Sequence, residues 1–461
     1  MTGARRLAAV VDAIRTEPLA DAVRRRAGEL LLDHLGVVLG GAGEESSVVV
    51  RRALASLGTH GDATVVGTRA RMAPPHAALA NGAAAHALEM DDTHLGGSIH
   101  LGASIFPAAL AAAELRTELG PTSGETLLRA AVAGYEVAAR LAMALDPAAH
   151  YRRGFHPTGT CGAFGAATAA GVVLGLDADA ITAALGVAGS QAAGSMEFLA
   201  DGAWTKRLHP GWAACAGLHA AALARAGFRA PASIVDGRFG FLHGYTDGRL
   251  DAALDGGGEL ELLRTGVKPH ACCRYSQGPI DAVLALRARR AIEPSRVRRI
   301  EVGLVGAGFP IVCEPLAAKR RPRSVVDAQF SLPFAIAVAL VRGSAWPDDF
   351  ARTQYEDDTI RRVMERVEPV RDPALDAAFP RTWPSWVRLV FDDGTTDEAR
   401  VVHPLGDPEH FPGPDLLQAK FARLAGRRLD AERLATVSAL VTRIASEPDV
   451  RALLASVQSD G

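Results

Sequence analysis

The stretch from residue 86 to residue 111 holds the densest group of side chains able to do acid–base chemistry in this sequence. Six of them fall within fifteen positions: His86, Glu89, Asp91, Asp92, His94 and His100. A globular core does not bury so many titratable groups without partners or a purpose. The flanking segments AALANGAAA and FPAALAAAELR are apolar and helical in pattern. We therefore predict a helix end and a loop that open onto a cavity walled by helices.

A second candidate is His156, which precedes Pro157 in HYRRGFHPTGTCGAFGAATAAGVVLGL. Gly159, Gly162 and Gly165 recur at every third position, which leaves one helix face bare for a neighbouring helix or a ligand. A helix N-terminus also offers free N–H groups to an anion such as a carboxylate. The alternative is that His156 is a loop residue that only caps a buried helix.

Lysine is rare in this chain, and its positions are informative. Of the 50 basic residues in Lys+Arg only four are lysines: Lys206, Lys268, Lys319 and Lys420. A codon bias towards arginine explains the rarity, but a lysine that remains is a candidate for a place where a compact ammonium is needed. Lys206 is accompanied by Arg207 and His209 in a short break between two Ala-rich segments.

Several types of chemistry lack their usual motif. His86, Asp92 and His94 have the residue types of a metal site, but their spacing fits no standard motif such as HExxH. No GxSxG elbow occurs, and Cys273 beside Cys272 and His270 makes only a weak nucleophile site. GxGxxG after a strand and GxxxxGK[ST] are also missing. Acid–base catalysis without a cofactor or metal remains, on a substrate whose negative charge suits Lys and Arg.

Bulk properties restrict the partners and the compartment. A formal charge of −2 and a pI near 6.7 argue against a nucleic acid or an anionic membrane as partner, so the ligand should be small. Five cysteines form neither a disulfide framework nor a CxxC ribbon, which favours a reducing, cytoplasmic location. We expect no signal peptide, and the longest apolar run, CGAFGAATAAGVVLGL, is shorter than the roughly 20 residues that span a bilayer. That run is predicted to be a buried helix.

The periodicity predicts a mainly α fold with an α+β part. At 461 residues, two domains are expected. Helical spacing prevails up to about residue 264, and Ser123 or Thr122 should cap the helix that follows them. RVRRIEVGLV alternates as a strand, and SWVRLVFDDGTTDEARVV predicts a hairpin at Asp393–Gly394. SVVDAQFSLPFAIAVALVRG and TIRRVMERVEPV are predicted helices. We therefore predict a helical domain from 1–264 and 403–461, and an α+β lid domain from 265–402.

Five segments together resemble the MmgE/PrpD family: HALEMDDTH with a later His, GFHPTGTCGAFGAA, SMEFLADGAWTKRLHPGWAA with GLHAAALARAGF, VKPHACCRYSQGPIDA and DAQFSLPFAIAVAL. The resemblance extends from about residue 5 to residue 425. Members include 2-methylcitrate dehydratases, cis-aconitate decarboxylases and an iminodisuccinate epimerase, all without metal or organic cofactor. The resemblance implies an all-α domain with both chain ends, an inserted α+β lid, a homodimer and an active site between the domains. Glu89 stands where Asp is common in the family.

The resemblance also implies a set of site residues and a reaction. The catalytic candidates are His100, His156, Lys206 and Lys268. The substrate-binding candidates are Glu89, Asp91, Asp92, Thr93, Arg207, His209 and Cys273. The implied activity is a cofactor-independent lyase that dehydrates or decarboxylates a small di- or tricarboxylic acid. A histidine beside Glu89, Asp91 or Asp92 should have its protonated form favoured, and a histidine at a helix N-terminus its neutral form, so we expect His100 to be the general acid and His156 the base or orienting group. An epimerase, an isomerase or a biosynthetic lyase on another acid remains an alternative, as does a non-catalytic helical binding protein.

Overall fold

The computed structural model of the chain describes residues 1–115, 120–255 and 258–459. Helices dominate the first 250 residues: α1 (Gly3–Thr16), α2 (Asp21–Gly41), α3 (Glu45–Ser56), α4 (Pro74–Ala85), α5 (Gly102–Glu114), α6 (Gly124–Ala144), α7 (Pro147–Arg152), α8 (Pro157–Thr160), α9 (Gly162–Val173), α10 (Ala178–Gly189), α11 (Thr205–Arg225) and α12 (Phe241–Tyr245). The short strands β1 (Ala63–Thr64) and β2 (Arg71–Met72) pair with each other.

Local sequence signals determine where several of these helices begin. The Ser123 hydroxyl accepts a hydrogen bond from the Thr126 N–H at 3.2 Å and caps α6, as predicted. Asp177 caps α10 in the same way, through the Ala180 N–H at 2.8 Å. Both caps satisfy N–H groups that have no partner inside the helix.

The core of the helical domain is built on close helix crossings. Helix α9 is buried along its whole length, as predicted for the longest apolar run. It crosses α6 where Gly165 faces Gly134, and a Cβ at Gly165 would lie 2.8 Å from the Gly134 carbonyl oxygen. Glycine is required at this crossing because any side chain would separate the two helices.

The end of the chain packs against its beginning. Helix α20 (Pro414–Ala425) lies on α2, where a Cβ at Gly36 would approach the Phe421 Cα to 3.3 Å. The buried ammonium of Lys420 lies 2.5 Å from Asp33 Oδ1. Helices α21 (Ala431–Thr442) and α22 (Arg451–Ser456) complete the C-terminal segment, and α21 also contacts α2.

The region between these segments is an α+β domain around a four-stranded sheet. Its strands β5 (Val297–Leu304), β6 (Val367–Arg371), β7 (Ser385–Phe391) and β8 (Thr396–Val401) lie in the order β6-β5-β7-β8. β5 and β6 are parallel, and the other pairs are antiparallel. β7 and β8 form the predicted hairpin, in which Gly394 has a φ of +84°. The helices are α13 (Gln277–Arg289), α14 (Leu316–Lys319), α15 (Val325–Gln329), α16 (Leu332–Arg342), α17 (Arg352–Tyr355), α18 (Asp358–Met364) and α19 (Pro373–Asp376).

Two helix predictions in this domain were wrong in part. TIRRVMERVEPV does not form one helix, because α18 ends at Met364 and the following residues form β6 beside β5. Pairing with an existing strand outweighed a local helical pattern. The predicted helix over SVVDAQFSLPFAIAVALVRG breaks into α15 and α16, since the Ser331 hydroxyl accepts from the Phe334 N–H at 3.1 Å and starts a new helix.

Two short strands connect the parts near the candidate residues. β3 (Thr93–His94) pairs with β4 (Thr265–Gly266), so the chain from the first polar stretch lies beside the segment that leads to Lys268. The predicted fold class is confirmed: a mainly helical domain with a smaller α+β domain. The boundaries at residues 264 and 402 stay predictions. Within the described residues, the helices are too short or too polar to cross a bilayer.

Candidate active site

The loop between α4 and α5 carries the first group of site residues, and its backbone is strained. Helix α4 ends at Ala85, and Glu89 has a φ of +55°, a left-handed conformation that non-glycine residues seldom adopt. Such a conformation costs about 1–3 kcal/mol and persists where surrounding contacts hold it in place. The contacts at Glu89 are ionic, since its carboxylate lies between two buried lysines.

Lys206 and Lys268 each contact one oxygen of the Glu89 carboxylate. The Lys206 ammonium, in the first turn of α11, donates to Glu89 Oε1. The Lys268 ammonium lies 3.2 Å from Glu89 Oε2 and 3.3 Å from Asp91 Oδ1. All four side chains are buried, so two positive and two negative charges balance inside the protein. This balance is the central electrostatic feature of the site.

The pKa values of this cluster follow from burial and from the neighbouring charges. Burial alone would raise the pKa of Glu89, but Lys206 and Lys268 together lower it well below its usual range. Burial alone would lower the pKa of Lys268, but Asp91 and Glu89 outweigh it and raise that pKa. At Lys206 burial prevails over Glu89, and the pKa is lowered. Glu89 is therefore ionised and Lys268 is charged at neutral pH.

His86 connects the acidic and basic members of the cluster. Its Nε2 lies 2.8 Å from the Lys206 ammonium, and its Nδ1 lies 2.6 Å from Asp91 Oδ2. Because an ammonium can only donate, Nε2 accepts from Lys206, and Nδ1 carries the hydrogen that is donated to Asp91. Burial lowers the pKa of His86 despite the charge of Asp91. The neutral imidazole therefore orients Lys206.

His100 is held from the backbone. Its Nδ1 lies 2.7 Å from the carbonyl oxygen of Asp92 and 3.2 Å from Thr93 Oγ1. Nδ1–H donates to that carbonyl, which leaves Nε2 as the nitrogen with a lone pair. Asp91, 3.6 Å from Nδ1, favours the protonated ring as the sequence argument expected, but burial has the larger effect and holds the pKa of His100 well below its usual value. The ring is neutral in the free protein.

His156 completes a group of three imidazoles. It occupies the N-cap of α8, and its backbone N–H donates to the Gly194 carbonyl at 2.9 Å. Its ring centroid lies 6.2 Å from that of His100 and 5.9 Å from that of His86. Burial, followed by the charge of His209, lowers the pKa of His156 well below its usual value. Two neutral histidines from separate segments thus face one region.

A small cavity lies between the two domains at this point. The helical domain contributes Glu89, Thr93, Ser98, His100, Tyr151, His156, Met196, Phe198 and Lys206, and the other wall consists of Cys273, Arg274, Tyr275, Ile311, Phe330 and Trp383. We call this space the site cavity. Its free volume of about 40 Å³ holds a few water molecules. A larger ligand requires the two walls to separate or their side chains to rearrange.

Most predicted site residues converge here. Glu89, Thr93, His100, His156, Lys206 and Cys273 line the site cavity, and Asp91 and Lys268 contact this group from behind. Burial raises the pKa of the Cys273 thiol, so it is not a thiolate at neutral pH.

Three predicted residues serve other contacts. Asp92 accepts from the Gly102 N–H at 2.9 Å, at the start of α5, and from the Tyr135 hydroxyl, and burial raises its pKa to about 7. Arg207 extends away from the site cavity and donates to Ser46 Oγ at 3.1 Å. His209 stands behind His156, with 3.0 Å between the two Nδ1 atoms. These three support the site from outside the site cavity.

Sequence reasoning missed part of the site. His86 was counted in the titratable cluster and as a metal candidate but not among the catalytic or substrate-binding residues, although its distance of five residues from Asp91 suits a turn that brings the two together. No sequence pattern predicted the aromatic side chains that line the site cavity, because they come from distant segments: Tyr151, Tyr275, Phe330 and Trp383. Only folding brings them together.

The three imidazoles also meet the spacing of a metal site. One nitrogen each of His86, His100 and His156 lies within 4.8 Å of the others. His86 Nε2 is occupied by Lys206, so a cation there would have to displace an ammonium. His94 does not join the group, since its Nε2 lies 2.9 Å from Glu261 Oε2. The donor set as arranged suits a lysine better than a metal ion.

Comparison with known proteins places this geometry in context. The model of the MmgE/PrpD N-terminal domain matches residues 5–252, and that of the MmgE/PrpD C-terminal domain matches residues 270–444. A cis-aconitate decarboxylase-like protein, oryM, of Aspergillus oryzae is 30% identical over 95% of this chain and 93% of its own. Cis-aconitate decarboxylase of Aspergillus terreus is 29% identical over 96% of this chain and 93% of its own. The mouse protein of the same name is 26% identical over 96% of this chain and 90% of its own.

Proposed function

Because the chain belongs to the MmgE/PrpD family, we propose that it is a cofactor-independent lyase that decarboxylates a small di- or tricarboxylic acid related to cis-aconitate. One observation carries this proposal: the buried ammonium of Lys206 and two neutral histidines, His100 and His156, line a cavity between the domains, and a second buried ammonium, Lys268, contacts the Glu89 carboxylate behind them. The relatives named cis-aconitate decarboxylase support decarboxylation over dehydration.

Substrate binding is proposed to exchange carboxylates at the lysines. In the free protein Glu89 and Asp91 together neutralise the two ammonium groups. A substrate carboxylate that reaches Lys206 replaces one of these contacts with a charge-assisted hydrogen bond of similar strength. The site is charge-balanced before binding, so the extra negative charge has to be compensated. His100 and His156 are the neutral groups next to the site cavity that can take up a proton for this purpose.

The reaction then needs one bond broken and one proton delivered. The bond between the carboxylate carbon and its neighbour breaks, and carbon dioxide leaves. The electron pair stays on the substrate, where it is delocalised into the remaining unsaturated acid and stabilised by the lysine charges. His100, protonated on substrate binding with the help of Asp91, donates its proton to carbon. After product release the ring is neutral again, as in the free protein, and it takes up its next proton from solvent when the next substrate binds.

His156 is proposed to orient the substrate. Its Nδ1 is paired with His209 Nδ1 at 3.0 Å, which restrains the ring. In a dehydration or an epimerisation the same group would serve as the base that removes a proton next to a carboxylate. The same site can therefore support related reactions, and the substrate decides between them.

Product analysis tests the proposal. The protein is incubated in deuterium oxide with cis-aconitate, citrate, 2-methylcitrate or iminodisuccinate, and the products are followed by NMR. We expect cis-aconitate to lose carbon dioxide and to acquire one deuterium at carbon, with kcat reduced about 10²–10⁴-fold in His100→Gln. Dehydration of citrate or 2-methylcitrate alone, or exchange on iminodisuccinate alone, would replace decarboxylation with the corresponding reaction. Folded protein that changes none of these acids would support a binding role instead.

The same assay tests independence from metals. Dialysis against a chelator should leave kcat unchanged, since Lys206 occupies His86 Nε2. Loss of activity that returns with one equivalent of zinc, iron or manganese would show that a metal ion takes part.

A further inference from the structure

A second cavity adjoins the site cavity and differs from it in chemistry. It has a volume of about 290 Å³. Its lining consists of Pro147, Ala148, Tyr151, Arg152, Met196, Leu199, Tyr275, Ala307, Pro310, Ile311 and Phe379. We call this space the apolar annex. Four of these residues also line the site cavity: Tyr151, Met196, Tyr275 and Ile311. The two spaces are thus neighbours that share one wall.

The walls of the apolar annex are mostly apolar. Among the described residues that line it, Arg152 is the one charged side chain, and it is exposed at the protein surface. Met196, Leu199, Ala307 and Phe379 are only half-buried, so apolar surface remains in contact with water inside the cleft. Removing such surface from water is favourable. An apolar group would fill the space better than a carboxylate would.

The volume sets the size of that group. An apolar cavity of about 150 Å³ is enough for benzene. The apolar annex, at about 290 Å³, therefore takes an apolar group of roughly six to ten carbons. Neither cis-aconitate nor citrate has such a group, and their carboxylates would gain nothing from these walls.

We infer that the substrate is a polycarboxylate with an alkyl chain of roughly six to ten carbons, whose carboxylates bind at Lys206, with the charge of Lys268 behind it, and whose alkyl chain lies in the apolar annex. The inference rests on the proposed function, because it takes the lysines as the carboxylate anchors. It adds the chemical class of the substrate. The shared wall at Tyr151, Met196, Tyr275 and Ile311 is where the polar head would end and the chain would begin.

Binding of unreactive analogues tests the inference without relying on turnover. Isothermal titration calorimetry measures Kd for a series of 2-alkylsuccinates, from methyl to decyl. We expect Kd to fall about fourfold for each added methylene, and to level off once the chain fills the apolar annex. A series with constant Kd, or one in which affinity falls with chain length, would overturn the inference and make the apolar annex a mere entrance to the site cavity.

Variants that fill the apolar annex test where the alkyl chain of the ligand binds. Ala307→Phe and, as a second variant, Leu199→Trp reduce the space of the apolar annex and leave the lysines and histidines in place. We expect either variant to bind methylsuccinate like the wild type and to lose the gain for hexyl and longer chains. Ala22→Phe, in a different cleft between the domains, is the matched control and should keep the full series. Unchanged chain-length dependence in both filling variants would refute the placement.

Turnover separates this inference from the proposed function. Cis-aconitate and its alkylated analogues are compared by kcat/KM under the same conditions. A rise of kcat/KM with chain length supports both ideas. Decarboxylation of cis-aconitate without any gain for alkylated analogues keeps the proposed function and overturns the inference. Tight binding of long alkylsuccinates without decarboxylation of any acid keeps the inference and overturns the proposed reaction.

Discussion

Replacement of Lys268 by methionine tests the charge balance of the site. Lys268 is fully buried, and its ammonium lies 3.2 Å from Glu89 Oε2 and 3.3 Å from Asp91 Oδ1. At an effective dielectric constant of 20, each contact corresponds to about 5 kcal/mol of attraction. Removing one partner from a buried ionic group costs about 3–5 kcal/mol in measured cases. We expect Lys268→Met to lower the free energy of unfolding by about that amount.

Calorimetry measures this loss. For a chain of 461 residues the entropy of unfolding is about 1 kcal/mol per degree near 60 °C. The variant should therefore have a Tm lower by about 3–5 °C at pH 7.5. The double variant Glu89→Gln/Lys268→Met contains one lysine and one carboxylate, Lys206 and Asp91, and its charges are balanced again. We expect it to regain at least half of the lost Tm.

Activity and stability should separate in these proteins. The kcat/KM on the accepted substrate should fall more than tenfold in Lys268→Met, because a charge-assisted hydrogen bond is lost, and it should stay low in the double variant. Lys420→Met is the control for the loss of a buried lysine: its Tm should fall through the Asp33 contact, with a smaller change in kcat/KM. An unchanged Tm in Lys268→Met, or additive losses in the double variant, would refute the charge-balance argument.

Three further predictions follow from the histidines and from the surface. Binding of a polycarboxylate at pH 7 should be accompanied by proton uptake at His100 and His156, because burial holds their pKa values low in the free protein and the added carboxylates raise them. Calorimetric titrations in buffers of different ionisation enthalpy count these protons. Proton release on binding would contradict the mechanism. Burial lowers the pKa of His34 to about 3 and that of His150 to about 4, below an unfolded value near 6.5, so their contribution to stability is complete above pH 6.5 and is lost progressively as the pH falls from 6.5 towards the folded pKa values. Each histidine costs about 2 kcal/mol at pH 5, and a Tm that stays constant between pH 7 and pH 5 would disprove this. The homodimer implied by the family resemblance should use the outer face of α11, where Trp212 is 51% exposed; Trp212→Glu should sediment as a monomer, and a monomeric wild type would refute the dimer.

The sequence alone singled out most of the titratable side chains that gather at the site cavity. The cluster from His86 to His100 stood out because buried titratable groups need partners, and the lysines stood out because so few occur. Helical periodicity and the Asp393–Gly394 turn likewise reported on local structure, which neighbouring residues determine. Such signals act over a few residues, and a single sequence contains them.

Local pattern was insufficient wherever distant segments compete for the same residues. Residues 367–371 form β6 because β5 offers a partner strand, and nothing within TIRRVMERVEPV indicates that strand. Asp92 has the same residue type as Asp91, yet it caps α5 while Asp91 holds Lys268 and His86. The difference arises from the direction of each side chain in the folded loop.

Protonation was also decided by the tertiary structure. From sequence, Asp91 next to His100 favoured a charged imidazole, and the folded protein does place them 3.6 Å apart. Burial in the folded protein nevertheless outweighs that charge and keeps the pKa of His100 low. The apolar annex has the same origin, since its walls come from residues 147–199 and 275–379. A sequence specifies which groups are present, but burial and cavity shape depend on what packs against them, and that is determined only when the two domains meet.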